Sequence, residues 1–230
     1  MKRITIELNQ FKKLCRMCDF AIANRERFQA GAPAVEALPE MTATIGKLKE
    51  LTASQSAAEN HLRELSRVKG EARAVLSADV AFLYHTARAI AVELPGFDAP
   101  FQLDFKTGAR LLNAARTALQ DAAPVADVFI RHAMPRDFLE KLRASILNFE
   151  RAGEEYEQGK TVCSAGAAVL QEAMRQARAA ATRFDAIIRN TLRADRPTLE
   201  AWKRVCRIPR IPRAMPDNPP PPPQPQAQPA

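Results

Sequence analysis

Aromatic residues make up only 6% of this 230-residue chain, and alanine and leucine supply most of the 47% that is apolar. That scarcity argues against β-structure, which draws on Val, Ile, Thr and aromatics, and favours helices packed on small side chains. No stretch approaches the roughly 18 uninterrupted apolar residues of a membrane-spanning helix. The opening residues, Met1 to Gln10, are charged at the start but lack the apolar segment of a secretory signal. Four cysteines, at 15, 18, 163 and 206, are too few and too scattered for a disulfide framework. The sequence therefore predicts a cytoplasmic protein with reduced thiols. Also missing are Gly-x-Ser-x-Gly, His-Glu-x-x-His and a dinucleotide fingerprint. No catalytic residue, cofactor or metal is assigned, and an enzyme is not expected.

What is present is helical periodicity. Pro135 and Pro197 bracket a run without proline, in which Leu142, Ile146, Phe149, Gly153, Tyr156, Cys163, Ala167, Leu170, Met174, Ala177, Ala181, Phe184, Ile188 and Thr191 fall on alternating steps of four and three. Only Lys160 interrupts them. Such spacing keeps one seam facing a partner helix over many turns. A second run, from Pro39 to Pro95, carries a seam through Met41, Ile45, Leu48, Leu51, Ala58, Leu62, Leu65, Ala72, Leu76, Leu83, Ala87, Ile90 and Leu94.

The predicted fold is all-α: an elongated antiparallel helical bundle with long helices over about 39–94 and 135–194. Shorter helices are expected over about 3–29, amphipathic with Ile4, Leu8, Phe11, Leu14 or Cys15, Cys18, Ile22 and Phe28 inward and a solvated basic face, and over about 106–132, kinked near Pro124. A short C-terminal helix follows, from Thr198 to Cys206. The loop 95–105 carries Phe97, Phe101, Leu103 and Phe105, which should cap one end of the bundle. A continuous 56-residue helix would reach about 84 Å, so the long runs either form a rod or fold back near Gly70 and Gly159. The seam keeps register across Gln158-Gly159-Lys160-Thr161, which favours continuity. Residues 1–206 read as the bundle, with 1–94 and 95–206 as the division if it forms two sub-bundles. Residues 207–230 hold ten of the seventeen prolines and read as a disordered, basic, proline-rich tail.

Three motifs invite chemistry and do not sustain it. Gly159-Lys160-Thr161 has the ending of a phosphate-binding loop, but Glu154 stands where the loop needs glycine, and helix flanks it on both sides. Cys15-Arg-Met-Cys18 would need two further ligands to hold zinc, and Cys163, Cys206 and the histidines at 61, 85 and 132 are far away in sequence. Two core thiols are the expectation. The histidines lack the Glu-x-x-His partners of a di-iron bundle, since 58, 82 and 129 are Ala, Phe and Phe.

The charge is uneven. Residues 171–213 hold eleven basic groups against four acidic ones, whereas residues 1–170 hold 23 against 21. Candidate anion-binding residues are therefore Arg175, Arg178, Arg189, Arg193, Arg196, Lys203, Arg204, Arg207, Arg210 and Arg213. Arg213, Pro216 and Pro219 have the spacing of a polyproline docking peptide. The stretches Pro135-Arg-Asp-Phe-Leu-Glu-Lys-Leu, Phe184-Asp-Ala-Ile-Ile-Arg-Asn-Thr-Leu-Arg-Ala-Asp-Arg-Pro and Leu199-Glu-Ala-Trp202 to Arg207 resemble a group of uncharacterised bacterial all-helical proteins, mainly over 134–207. That group has no assigned activity, so the resemblance implies a helical fold and carries over no site. The sequence reads as a non-enzymatic structural or protein-interaction bundle with an unknown protein partner. The alternative is a protein associated with nucleic acid or an anionic surface through 171–213. Oligomeric state is not legible.

Overall fold

The computed structural model describes residues 2–28, 33–101 and 107–207, with side chains from residue 9 onward. Of the described residues 88% are helical and none is in a strand. The helices are α1 (Lys2–Ala23), α2 (Pro33–Ile90), α3 (Gly108–Ala122), α4 (Ala126–Arg131), α5 (Phe138–Thr191) and α6 (Arg196–Val205). Short 3₁₀ turns cover Arg25–Arg27, Ala99–Phe101 and Ala123–Val125. The chain is an all-α bundle, and no helix of the described residues is long and apolar enough to cross a membrane.

Neither long run folds back: α2 passes through Gly70 and α5 through Gly159. An isolated glycine costs a helix about 1 kcal/mol relative to alanine, too little to break one that packs along its length. The start of α2 departs from the sequence expectation. Pro33 opens the helix, and Pro39 is taken inside it at the loss of one hydrogen bond to the Val35 carbonyl. Leu94 also departs, since the helix ends at Ile90 and leaves Leu94 49% exposed. Pro124 divides α3 from α4 as expected. The proline-rich tail lies outside the described residues.

The chain forms two compact units, and they do not follow a division at 94/95: Met1–Ile45 joins Gln176–Ala230, and Gly46–Arg175 is the other. Two long antiparallel helices place near neighbours far apart in sequence, so a compact unit gathers segments from both chain ends.

In the unit Gly46–Arg175, the core gathers Leu76, Leu83 and Ile90 of α2, Leu111 and Ala118 of α3, Phe129 of α4, and Phe138, Leu142 and Phe149 of α5. Phe97, tilted, and Phe101, edge-on, pack against Phe129 with ring centroids 5.4 Å apart in each case, so this part of the loop 95–105 does pack as a cap. Leu103 and Phe105 lie outside the described residues. α4 ends with Ala133 at φ 66. Met134 N–H bonds to the Phe129 carbonyl at 3.1 Å, the closure of a Schellman turn that usually employs glycine.

The α5 seam is inward along this unit. On α5, small residues also recur at every seventh position, at Ser145, Ala152, Gly159, Gly166 and Ala173, none of them exposed. On α2 the larger Leu48, Gln55, Leu62, Lys69 and Leu76 recur in the same way and are buried or half-buried. The two series run antiparallel. A Cβ on Gly159 would stand 3.6 Å from Leu62 and 2.5 Å from Leu65, and one on Gly166 would stand 2.6 Å from the Gln55 amide oxygen. Glycine at these places lets the helices approach closely.

In the other unit, Leu14, Met17, Cys18 and Ala21 of α1 are buried. So are Met41 and Ile45 of α2, Ala177, Ala181, Phe184 and Ile188 of α5, and Trp202 of α6. Ile22, expected inward, is 52% exposed. The buried stripe turns through Met17 and Ala21, so a small side chain takes the place the sequence offered to a large one.

Candidate anion-binding face

The short helix α6 is fastened by a polar node beneath its one tryptophan. Asp195 caps its start by accepting from Thr198 N–H at 3.2 Å, and Pro197 sits in the first turn. Arg27 donates to the Asp195 carboxylate at 3.0 Å and to the Thr198 hydroxyl at 2.9 Å. Further along, Trp202 is fully buried, with Phe20 of α1 at 5.5 Å and Phe184 of α5 at 5.9 Å between ring centroids. Its indole N–H donates to Asp185 Oδ1 at 2.7 Å, the atom that also accepts from Arg189 Nε at 2.9 Å.

Burial opposes ionisation of Asp185, but the hydrogen bonds from Arg189 and Trp202 outweigh it and hold the carboxyl below the usual carboxylate range. The Cys206 thiol, 3.6 Å from the same oxygen, is pushed up to about 12 by burial first and by the Asp185 charge second. A thiol held neutral in this way is a poor nucleophile.

α1 lies antiparallel to α6. Arg27 meets Asp195, Phe20 meets Trp202, and Arg16 donates to the Arg207 carbonyl at 3.2 Å. A guanidinium at the C-terminal end of a helix complements its dipole. The pairing carries Lys13 and Arg16 to the end of α6 that holds Cys206 and Arg207, and the Lys13 charge is felt at the Cys206 thiol. The sequence showed the solvated basic face of α1, but nothing local showed that Arg16 on it meets Arg207, 191 residues further along the chain.

The candidate residues separate by partner. Arg189 is committed to Asp185 and Lys203 to Glu200, the latter at 2.6 Å. Arg175 pairs with Glu172 at 2.7 Å and belongs to the unit Gly46–Arg175. Arg178, Arg193, Arg196, Arg204 and Arg207 are exposed, and none has an ion pair among the described residues. Arg210, Arg213, Pro216 and Pro219 lie outside the described residues. Counted by unit, Met1–Ile45 with Gln176–Ala230 holds 17 basic and 9 acidic groups, whereas Gly46–Arg175 holds 17 of each. The whole net charge of +8 thus falls on one unit.

The other motifs fall into ordinary packing. Gly159-Lys160-Thr161 is mid-helix, with Lys160 paired to Glu157 at 3.4 Å. Cys18 is buried against the Thr42 hydroxyl at 3.4 Å, and Cys15 is half-buried. Among the described residues no three His, Cys, Asp or Glu side chains converge as a metal site would require. A groove of about 600 Å³ in the neutral unit is lined by Gly108, Leu112, Phe149 and Gly153. Its rim is largely satisfied within the unit, by the Arg116–Glu150 pair and by Lys69 over the Tyr156 ring at 4.5 Å.

No protein-family model matches the chain, and comparisons with curated proteins and with solved structures find no similar one.

Proposed function

We propose that this chain is a non-enzymatic interaction protein, a helical bundle that attaches to the phosphate backbone of duplex nucleic acid through its basic unit. The observation that carries this reading is the segregation of charge, 17 basic against 9 acidic groups in one compact unit and 17 against 17 in the other. Arg193, Arg196, Arg204 and Arg207 stand exposed on or beside α6, with Lys12 exposed on α1. Such groups neutralise phosphates and so release the polyanion's condensed counterions into solution. Trp202 and Phe184 are buried in the core and half-buried Phe20 packs on Trp202, so these rings are engaged within the fold and not free to stack on bases. Contact is with phosphates, and sequence preference is not expected.

An acidic membrane fits the same charge less well. Helices that lie on membranes insert an apolar face, and among the described residues of this unit the one exposed large apolar side chain is Ile22.

Fluorescence anisotropy of a labelled random-sequence duplex, titrated with the full chain at several salt concentrations, tests the reading. Four to six neutralised phosphates should give a log–log salt slope of roughly −4 to −5, with Kd on the order of 1–100 μM near physiological salt. Absence of binding, or binding that ignores salt, contradicts it. So does binding to acidic vesicles without binding to the duplex.

A further inference from the structure

Residues 51–58 of α2, Leu-Thr-Ala-Ser-Gln-Ser-Ala-Ala, and residues 161–171 of α5, Thr-Val-Cys-Ser-Ala-Gly-Ala-Ala-Val-Leu-Gln, contain no charged group in a chain that is 26% charged. They lie at one level of the helix pair, since Gln55 Nε2 donates to Cys163 Sγ at 3.5 Å and the Gln55 amide faces Gly166. The lack of charge extends to the outer surface. Ala53, Ala57, Ala165 and Ala168 are exposed, and Val162 and Val169 are 64% and 52% exposed. Residues 49–75 and 153–172 include no fully buried side chain, so two helices alone leave this stretch without a core. Helices owe most of their stability to packing of an apolar face, and a solvated helix ordinarily carries charge there.

We infer that a second copy of this chain covers the uncharged girdle, antiparallel to the first about a two-fold axis near Ala165. The charges bordering the girdle select both the occupant and its direction. On one border, 47–50 with 172–175, three basic groups stand against two acidic ones; on the other, 59–64 with 154–160, two basic groups stand against five acidic ones. An antiparallel copy sets the positive border, with exposed Lys47 and Lys49, against the negative border, with exposed Glu154 and Glu155, and does so twice. A parallel copy would oppose the two negative borders. The girdle itself has no charge to repel its own image, and its small side chains allow close helix approach. The result is a four-helix arrangement with an isologous interface.

Sedimentation equilibrium of the full chain without nucleic acid, over micromolar to hundred-micromolar concentrations, tests this independently of the polyanion reading. The expected mass is twice 25.4 kDa. V162E/V169E should weaken association at least tenfold with helicity retained, while L147E, at an exposed leucine outside the girdle, should not. Ala165→Cys should give a covalent dimer on mild oxidation, well above the wild-type background. A monomer at every concentration overturns the inference. Association that both Val→Glu changes leave intact, or a dimer that Ala165→Cys fails to trap, overturns it equally.

Discussion

Asp185 accepts hydrogen bonds from two helices at once, and its removal should be felt through Trp202. Asp185→Ala leaves a fully buried indole N–H unpaired, which costs about 1–3 kcal/mol. Asp185→Asn keeps an acceptor and should cost less. Because its folded carboxyl is held below the unfolded value, the stability it contributes is present above the unfolded pKa and is lost as pH falls through the folded one. Cys206 has the opposite sign. Its neutral form is favoured, so its contribution is full below the ordinary thiol range and is lost as pH rises towards about 12. Emission of the chain's one tryptophan should therefore shift to the red at both extremes and stay constant between them. Phe184→Ala should cost about 3–5 kcal/mol, whereas exposed Arg178→Ala should change stability by less than about 0.5 kcal/mol. Denaturant melts that reverse this order would put the wrong face of α5 inward. Ala133, a non-glycine residue at φ 66, should gain roughly 1 kcal/mol on replacement by glycine.

Helix α5 was legible because its seam keeps one register along the whole run. Each residue named for that seam from Leu142 to Thr191 is buried or half-buried, and Lys160, the one interruption, is exposed. The heptad of small residues beside it was not legible. A pattern weighted by apolar bulk passes over Gly159 and Gly166, and glycine suggests a break until the partner helix is seen against it. On α1, Ile22 and Ala21 compete for the same inward place, and only the partner decides between them. A pair of substitutions separates the roles of the glycines. Gly70→Ala meets nothing within 4 Å and should stabilise α2 by about 0.5–1 kcal/mol. Gly159→Ala gains the same propensity but puts a Cβ 2.5 Å from Leu65, so Leu65 must move and the gain should shrink or reverse. Thermal melts of the two variants read the difference; equal gains would contradict the close approach of α2 and α5.

The joining of Met1–Ile45 with Gln176–Ala230 could not be read from any local window, because it depends on two long helices returning the chain beside its own beginning. The basic bias of 171–213 was visible in composition alone. Its limit was not: Arg175 falls in the neutral unit, while Lys12, Lys13 and Arg16 belong to the basic one. Net charge taken over the whole chain hides the fact that one unit carries none of it. The claim that binding follows this segregation is tested most directly by two charge-matched variants in the duplex titration. K12E/R193E/R196E/R204E alters exposed residues of the basic unit, and R88E/R131E/R136E/R143E alters exposed residues of the neutral one. Both lower the net charge by the same amount. The first should abolish measurable binding or flatten the salt slope by roughly 3–4, and the second should leave slope and affinity close to wild type. Equal losses from both variants would show that only net charge matters and would contradict an assigned basic face.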